Sequence, residues 1–202
     1  MLQEKLKAST ALLHDELENL MFVNSIMQRT LNVPQYRQIL VTNYLSHLHY
    51  EEPIHQQISK QLAEELDITK RTKTDALIAD LRDVNLSVTN LAKKFPVVKA
   101  VIPNESFALG AMYVLEGATL GGSVIVKQLL LNPNFPRDYG FNYYNVYGKN
   151  LMKNWQQFVA VLNTLPEEEH QHAIDGANFM FNTIAQIAKQ IKDLEVEKSK
   201  DN

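Results

Sequence analysis

Four residues with helical spacing carry the strongest chemical signal in this chain. Gly110, Tyr113, Gly117 and Gly121 recur at i, i+3, i+7 and i+11, which places them on one face of an α-helix. Each glycine inside a helix costs about 0.5–1 kcal/mol relative to alanine, so three on one face need a physical reason. The usual reason is a body that approaches the backbone more closely than a Cβ allows. This glycine stripe therefore predicts contact with another helix or with a planar cofactor.

A histidine near the N-terminus supplies a side chain that can bind a metal. His14 is followed one helical turn later by Glu18, whose carboxylate can reach the imidazole ring. Such a partner fixes the tautomer and leaves the second ring nitrogen for a metal. A single helix histidine is more often an ordinary surface or core residue. Together, however, a helix that bears a histidine and a helix with a bare glycine face make two walls of a haem pocket, with His14 as the axial ligand.

Composition limits the classes of protein to which the chain can belong. Its 202 residues suffice for one domain, and a net charge of −3 gives no electrostatic footprint for nucleic acid. Cysteine is absent, which excludes thiolate metal sites and fits a reducing cytoplasm. The first seven residues lack the apolar core of a signal peptide. The apolar stretch 107–126 carries Glu116, so we expect a buried core helix there and no membrane span.

Apolar residues recur at helical spacing through nearly the whole chain, without convincing β alternation. We expect Asn32 to cap a helix that has Pro34 in its first turn, and Pro53 to kink or restart that helix. The pattern predicts a single all-α domain over residues 1–193, a bundle of seven or eight helices, followed by a polar tail at 194–202. The segment 132–144 is expected to be irregular. The predicted helices cover about 2–21, 34–48, 54–66, 74–84, 88–95, 105–131, 146–162 and 166–192.

Three pieces of the sequence resemble the haem oxygenase family. They are Thr10-x-x-x-His14-x-x-x-Glu18-x-x-x-Phe22, then Tyr113-Val-Leu-Glu-Gly-Ala-Thr-Leu-Gly-Gly122, and more weakly Tyr147-Gly148 followed by Trp155 and Phe158. The resemblance runs from about residue 5 to about residue 190, and the second piece is most similar to the bacterial, biliverdin-producing branch. It implies a multi-helical haem oxygenase-like bundle that cleaves haem to biliverdin, CO and ferrous iron. Haem would be cofactor and substrate, with O₂ and an external electron donor, a reductase or a ferredoxin-type protein, as the other participants.

The resemblance also implies roles for individual residues. His14 would be the proximal iron ligand with Glu18 as its partner, and Gly117 and Gly121 would be the catalytic glycines on the distal side, with Gly122 adding flexibility. Lysines would hold the haem propionates. The implied haem-binding set is Lys7, His14, Glu18, Tyr113, Gly117, Gly121, Gly122, Lys149 and Lys153.

One position departs from the family pattern. Ala118 stands where many family members have an aspartate that holds the distal water network, and Thr119 and Glu116 are the nearest polar side chains. A haem- or bilin-binding protein of the same fold without turnover is therefore an alternative interpretation.

A di-iron carboxylate protein on the same fold is a second alternative. Such sites use Glu-x-x-His pairs, and the chain contains Glu52-x-x-His55 and Glu167-x-x-His170. Against this interpretation, Pro53 interrupts the first pair. The second pair lies at a predicted helix N-terminus, where acidic residues are favoured by the helix dipole. Close helix–helix packing stays the simplest alternative explanation of the glycine stripe.

Overall fold

Helices account for the regular structure in this computed structural model, which describes the backbone of residues 1–97 and 100–200 and the side chains of 1–97 and 100–192. No strand occurs in these ranges, and eight of the helices there have eight residues or more, which confirms the predicted all-α bundle. Short 3₁₀ turns at Ile68–Lys70, Gly148–Asn150 and Glu167–Glu169 join some of them. The helices are α1 Leu2–Ser9, α2 Ala11–Leu20, α3 Val23–Met27, α4 Val33–Gln56, α5 Lys60–Leu66, α6 Thr74–Asp83, α7 Leu91–Lys94, α8 Glu105–Gly117, α9 Gly122–Leu130, α10 Leu151–Leu162 and α11 His170–Lys200.

The helices α8 and α11 pack backbone against backbone. A Cβ on Gly110 of α8 would overlap the carbonyl oxygen of Ala173 on α11, and a Cβ on Gly176 of α11 would overlap the carbonyl oxygen of Phe107 on α8. Each of the two glycines thus leaves room for a backbone carbonyl of the other helix. Because α11 also contacts α1, α2 and α4, it connects the helix that carries His14 to the helix that carries the glycine stripe.

The first predicted helix is divided in two at Thr10. The Thr10 side chain is buried, and its hydroxyl donates to the carbonyl oxygen of Leu6 at 2.8 Å. A threonine that bonds back to the i−4 carbonyl competes with helical geometry and bends helices. The expectation of one helix over 2–21 was therefore wrong, and His14 lies on α2 while Lys7 lies on α1.

The long helix predicted for 105–131 is also interrupted. Residues 118–121 form a turn between α8 and α9. Here the backbone N–H groups of Thr119, Leu120 and Gly122 donate to carbonyls three residues earlier, at 2.8–3.1 Å. The Thr119 hydroxyl also donates to the carbonyl oxygen of Glu116 at 2.7 Å. This tighter winding ends α8 at Gly117, and α9 begins at Gly122. We call residues 118–121 the 118–121 turn.

The boundaries of α4 follow one prediction and contradict another. The Asn32 side chain accepts from the backbone N–H of Gln35 at 2.9 Å, which confirms the predicted cap. Pro53 lies within the last turn of α4, which continues to Gln56, and the next helix begins only at Lys60. The predicted restart at Ile54 is thus wrong, because a proline removes only one backbone donor and a helix tolerates that loss near its end.

The segment expected to be irregular, 132–144, contains turns and no helix. It is ordered by Asp80 of α6, whose carboxylate accepts from the backbone N–H groups of Asn142 and Tyr143 at 2.6 and 2.9 Å. Phe141 and Tyr143 are consequently buried in the core. Tyr144 at the end of this segment and Tyr147 just after it contact Gly122 and Glu116, the residues on the two sides of the 118–121 turn.

The most apolar segment of the chain and the start of its predicted polar tail both fall in helical regions. Glu105–Leu130 is long and apolar enough to cross a membrane by length and composition alone, but half of it is buried in the fold, which is typical of a core helix. At the C-terminus, α11 continues to Lys200, so the predicted start of the tail at residue 194 falls inside a helix. Residues 201–202 of that predicted tail lie outside the described residues, and the division at 193 stays a prediction.

The packed Gly110 and the open Gly117 of α8 predict different effects of alanine on the free energy of unfolding. Gly110→Ala should lower the free energy of unfolding by about 1–3 kcal/mol, because α8 and α11 must move apart. Gly117→Ala is the matched control: its Cβ meets only Trp155 at 4.0 Å, so the change should stay within about 1 kcal/mol of zero. Urea unfolding of the ligand-free proteins measures both values. Equal losses in the two variants would contradict the assignment of Gly110 to packing.

Candidate functional site

His14 lies on the exposed part of α2, and its ring has Glu18 and Phe181 as neighbours. Its side chain is 56% exposed, and Nδ1 lies 3.7 Å from Oε1 of Glu18. The ring meets Phe181 of α11 edge-on, with 6.1 Å between centroids. At 3.7 Å the carboxylate is too distant for a hydrogen bond, yet it lies on the Nδ1 side of the ring. Nε2 is therefore the nitrogen available to a metal.

The face of α11 that carries Phe181 also carries an unsatisfied polar atom. Asn178 lies one helical turn before Phe181, and its Oδ1 is buried without a hydrogen-bond partner from the protein. Buried polar atoms are almost always satisfied by protein, water or ligand. The helix wall beside His14 therefore offers one polar contact that the protein does not use itself.

One of the three striped glycines is explained by packing inside the fold, and two are not. A Cβ on Gly110 would overlap α11, and a Cβ on the adjacent Gly122 would overlap the carbonyl oxygen of Tyr144. By contrast, a Cβ on Gly117 would meet only Trp155 at 4.0 Å, and one on Gly121 only Ile125 at 3.5 Å, which are ordinary contacts. None of these four glycines has a positive φ. Gly117 and Gly121 thus form an open glycine wall that neither backbone conformation nor packing requires.

Aromatic residues border the open glycine wall on one side. The Tyr113 and Trp155 rings lie 5.7 Å apart, and Trp155 in turn lies 5.8 Å from the buried ring of Phe158. These residues come from α8 and α10, so the third piece of the family resemblance packs against the second. The arrangement gives a flat ligand an apolar edge next to the glycines.

The polar side chains nearest to the glycines turn away from the wall. Thr119 is buried and its hydroxyl is used by the carbonyl of Glu116, while Ala118 is exposed. Glu116 is buried and fully bonded inside the protein. Hence neither of the two side chains considered as substitutes for the usual aspartate reaches the open face of the glycine wall.

Glu116 belongs to a buried ionic cluster that sequence reasoning did not find. Its carboxylate accepts from Arg71 Nη1 at 2.7 Å, from Lys73 Nζ at 2.6 Å and from the Tyr147 hydroxyl at 2.8 and 2.9 Å. Burial alone would raise the pKa of Glu116, but the charges of Lys73 and Arg71 outweigh it and lower the pKa. Burial, reinforced by the negative charge of Glu116, raises the pKa of Tyr147. The carboxyl is therefore ionised and the phenol protonated near neutral pH.

A second buried carboxylate lies on the other side of Lys73. Glu51 Oε1 is 2.8 Å from His47 Nδ1 and accepts from the backbone N–H of Lys73 at 2.7 Å, and its Oε2 accepts from the Thr74 hydroxyl at 2.9 Å. Burial would raise the pKa of Glu51, but these bonds and charges outweigh it and lower the pKa to about 2. Burial lowers the pKa of His47, so its ring is neutral and Nδ1–H donates. His47 is thus a structural residue.

The lysines predicted for propionates are not brought together with His14. Lys153 lines a cleft of about 360 Å³ together with Arg71 and Tyr147. It precedes Trp155 by two residues, about 200° around α10, so it lies on the side of the helix away from the glycine wall. Lys149 is exposed in the 3₁₀ turn before α10, and Lys7 is exposed on α1. Lys7 and His14 lie on separate helices, α1 and α2, on the two sides of the break at Thr10.

The two Glu-x-x-His pairs do not converge on a metal site. Glu52 is exposed and accepts from Gln56, and Glu167 is exposed and pairs with Lys5 at 3.1 Å. In the described part of the chain, the one group of three metal-binding side chains whose ligand atoms lie within 4.8 Å of one another is exposed. It consists of His14, Asp15 and Glu18.

Comparison with known proteins defines the class. The sequence profile of the family described as Heme oxygenase matches residues 1–190. Solved structures of heme oxygenases share the fold: that of Leptospira interrogans at 18% identity (TM-score 0.71, 93% of this chain and 98% of that one) and the NO- and CO-bound enzyme of Neisseria meningitidis at 22% (0.72, 94% and 91%). Heme oxygenase-1 of the cyanobacterium Synechocystis in complex with heme shares it at 19% (0.69, 99% and 98%). No curated protein matches the chain.

The fold and the match over residues 1–190 together define the family of the chain. This protein has the all-α fold of the haem oxygenases, and it belongs to the haem oxygenase family. The family membership confirms the resemblance drawn from the sequence, while the roles of individual residues stay predictions.

The buried pair of Glu51 and His47 predicts a loss of stability in acid. Because the pKa of Glu51 is about 2 in the folded protein and about 4.5 in the unfolded chain, the unfolded state binds more protons between these values. Stability from this group is present above about pH 4.5 and is lost as pH falls toward 2. Glu51→Gln should therefore flatten the dependence of unfolding free energy on pH in that window. Urea unfolding at several pH values tests this, and an unchanged slope would contradict it.

Proposed function

We propose that this protein is an active haem oxygenase that cleaves haem to biliverdin, CO and ferrous iron in the cytoplasm. The observation that carries the proposal is the open glycine wall of Gly117 and Gly121, which the fold itself does not require. A metal-binding histidine on another helix and an unsatisfied Asn178 on the helix between them support it. The family match supports haem as the ligand.

The residues present fit haem by their chemistry. When bound, haem supplies the iron that takes up O₂ and the porphyrin edge that is oxidised. His14 would hold the iron through Nε2, with Glu18 orienting the ring from the Nδ1 side. Gly117 and Gly121 would let the backbone come close on the opposite face and leave room only for a small ligand.

The remaining residues would bind and shield the substrate. Tyr113 and Trp155 would cover the apolar edge, Gly122 would keep the end of the 118–121 turn against residue 144, and Lys7 would meet a propionate. Lys153 would do so only from the far side of α10, and Lys149 only from the 3₁₀ turn before it, which makes them the weakest members of the proposed set. Electrons would come from a reductase or a ferredoxin-type donor.

A haem- or bilin-binding protein without turnover is the second candidate. The observation that favours it is the absence of a polar side chain at residues 117–121 that faces the glycine wall: Ala118 is apolar, and the Thr119 hydroxyl is used inside the protein. In the enzyme, protons would then have to come through water bound to backbone groups. The experiment below separates the two candidates.

His14→Ala should weaken haem binding by about tenfold or more, equivalent to about 1.4 kcal/mol, because the iron loses its protein ligand. A haemin titration followed by the Soret absorption measures the affinity and the ligand state. His172→Ala, which removes another exposed histidine, is the control and should behave as the parent protein. Adding a reductant in air to the complex should then give a biliverdin spectrum. A stable haem spectrum would instead select the binding protein, and no saturable Soret change would reject both the enzyme and a haem-binding protein.

Gly117→Ala and Gly121→Ala should each lower the rate of biliverdin formation by about 10–100-fold while haem still binds, because a methyl group would then fill space that a small ligand would need. Single-turnover absorption measurements on the haem complex give this rate. Ser123→Ala, an exposed change on α9 close to the turn, is the control. Unchanged rates in both glycine variants would remove these residues from the proposed distal side.

A further inference from the structure

The 118–121 turn is attached to the protein at both of its ends by the same short segment. At the N-terminal end, the Tyr147 hydroxyl donates its one hydrogen to the Glu116 carboxylate, in a bond shared between the two oxygens. At the C-terminal end, Gly122 lies so close to the carbonyl oxygen of Tyr144 that a Cβ would overlap it. Residues 144 and 147 thus contact the two flanks of a turn whose own side chains at 118 and 121 are small and exposed.

The attachment at Glu116 is strong because its carboxylate is buried and forms ion pairs with two buried cations. The side chains of Glu116, Arg71 and Lys73 are each only 2% exposed. Arg71 is itself fixed by the carbonyl oxygens of Leu66 and Asn154 at 2.7 and 3.1 Å. Removing one partner of such a group leaves an uncompensated buried charge, which is far more costly than the loss of an exposed pair. Glu116 therefore cannot move independently of the segment between α5 and α6.

A proton relay is a different use for a buried carboxylate, and the geometry argues against it. Both oxygens of Glu116 accept bonds from Arg71, Lys73 and Tyr147, so the carboxylate has no proton to release and no donor pointing toward the glycine wall. The hydroxyl of Thr119 also points back to the carbonyl of Glu116. The cluster can fix the position of the backbone, but it cannot deliver a proton to the open face.

We propose that residues 144–147 and the buried cluster around Glu116 clamp the 118–121 turn, so that Glu116 and Tyr147 are positioning residues for the glycine wall. The clamp holds the backbone of Gly117 and Gly121 at a fixed distance from whatever binds there. This inference rests on the proposed function for the identity of that ligand, but the clamp itself is a property of the protein without ligand. Its effect on the site is steric, through the backbone, and requires no side chain to touch the substrate.

Three variants of the full-length protein test the clamp. Glu116→Gln removes the charge that balances Arg71 and Lys73. Tyr147→Phe removes only the shared hydrogen bond from the hydroxyl to Glu116, so it keeps the test informative if Glu116→Gln folds poorly. Glu51→Gln is the matched control, because it changes an equally buried glutamate on Lys73 that does not adjoin the turn.

The first measurement is hydrogen–deuterium exchange in the ligand-free proteins. Exchange in peptides covering 117–122 should accelerate by about tenfold or more in Glu116→Gln and less in Tyr147→Phe. The reason is that Glu116→Gln leaves two buried cations without their counter-charge, whereas Tyr147→Phe leaves both ion pairs in place. In Glu51→Gln the acceleration should be confined to α4 and residues 72–75. Unchanged exchange at 117–122, or an equal acceleration in the control, would overturn the clamp whether or not the protein binds haem.

The second measurement follows the consequence for the site. In the reduced, CO-bound haem complex, the C–O stretching band should split or shift in Glu116→Gln, because the backbone of the turn moves. The control should keep the parent band although it unfolds at a lower temperature. A parent protein that forms no such complex refutes the proposed function and leaves the exchange result to decide the clamp. A normal band in Glu116→Gln refutes the link between clamp and site.

Discussion

The close approach of α8 and α11 is the constraint on which the rest of the structure depends. Gly110 and Gly176 each face a backbone carbonyl of the opposite helix, and a methyl group at either position would separate the two helices. The same α11 presents Phe181 to His14, so the spacing of α8 and α11 also sets the spacing between the histidine and the glycine wall. A separation of α8 and α11 would therefore change the geometry of the site, because protein interiors are close-packed and transmit displacement.

The buried charges complete what helix packing begins. Arg71, Lys73 and Glu116 lie in the core although buried ion pairs contribute little net stability compared with apolar residues of similar volume. What such a cluster does provide is a defined geometry, because each charge requires its partner at one position. In this protein the defined position is the end of α8, directly before Gly117. We therefore attribute the cluster to the placement of the turn and not to the total stability of the fold.

The sequence predicted the elements well and their tertiary partners poorly. The all-α class, the Asn32 cap and the irregular segment follow from local signals: periodicity, capping chemistry, and a concentration of proline and asparagine. The division at Thr10 depends on whether a hydroxyl bonds to the carbonyl four residues earlier, which the residue type permits but does not require. In the cluster, Glu116 pairs with Lys73 and Arg71, which precede it by 43 and 45 positions in the sequence. No local pattern indicates such pairs.

The glycine stripe illustrates why a correct pattern can have two meanings. Periodicity placed Gly110, Gly117 and Gly121 on one face, and either helix packing or a flat ligand would explain such a face. In the folded protein the packing explanation holds for Gly110, whereas an alanine at Gly117 would contact nothing closer than 4.0 Å. By intrinsic propensity, alanine at Gly117 would favour the helix by about 0.5–1 kcal/mol. Folding therefore gives no reason for a glycine there, and a ligand at the open wall supplies one.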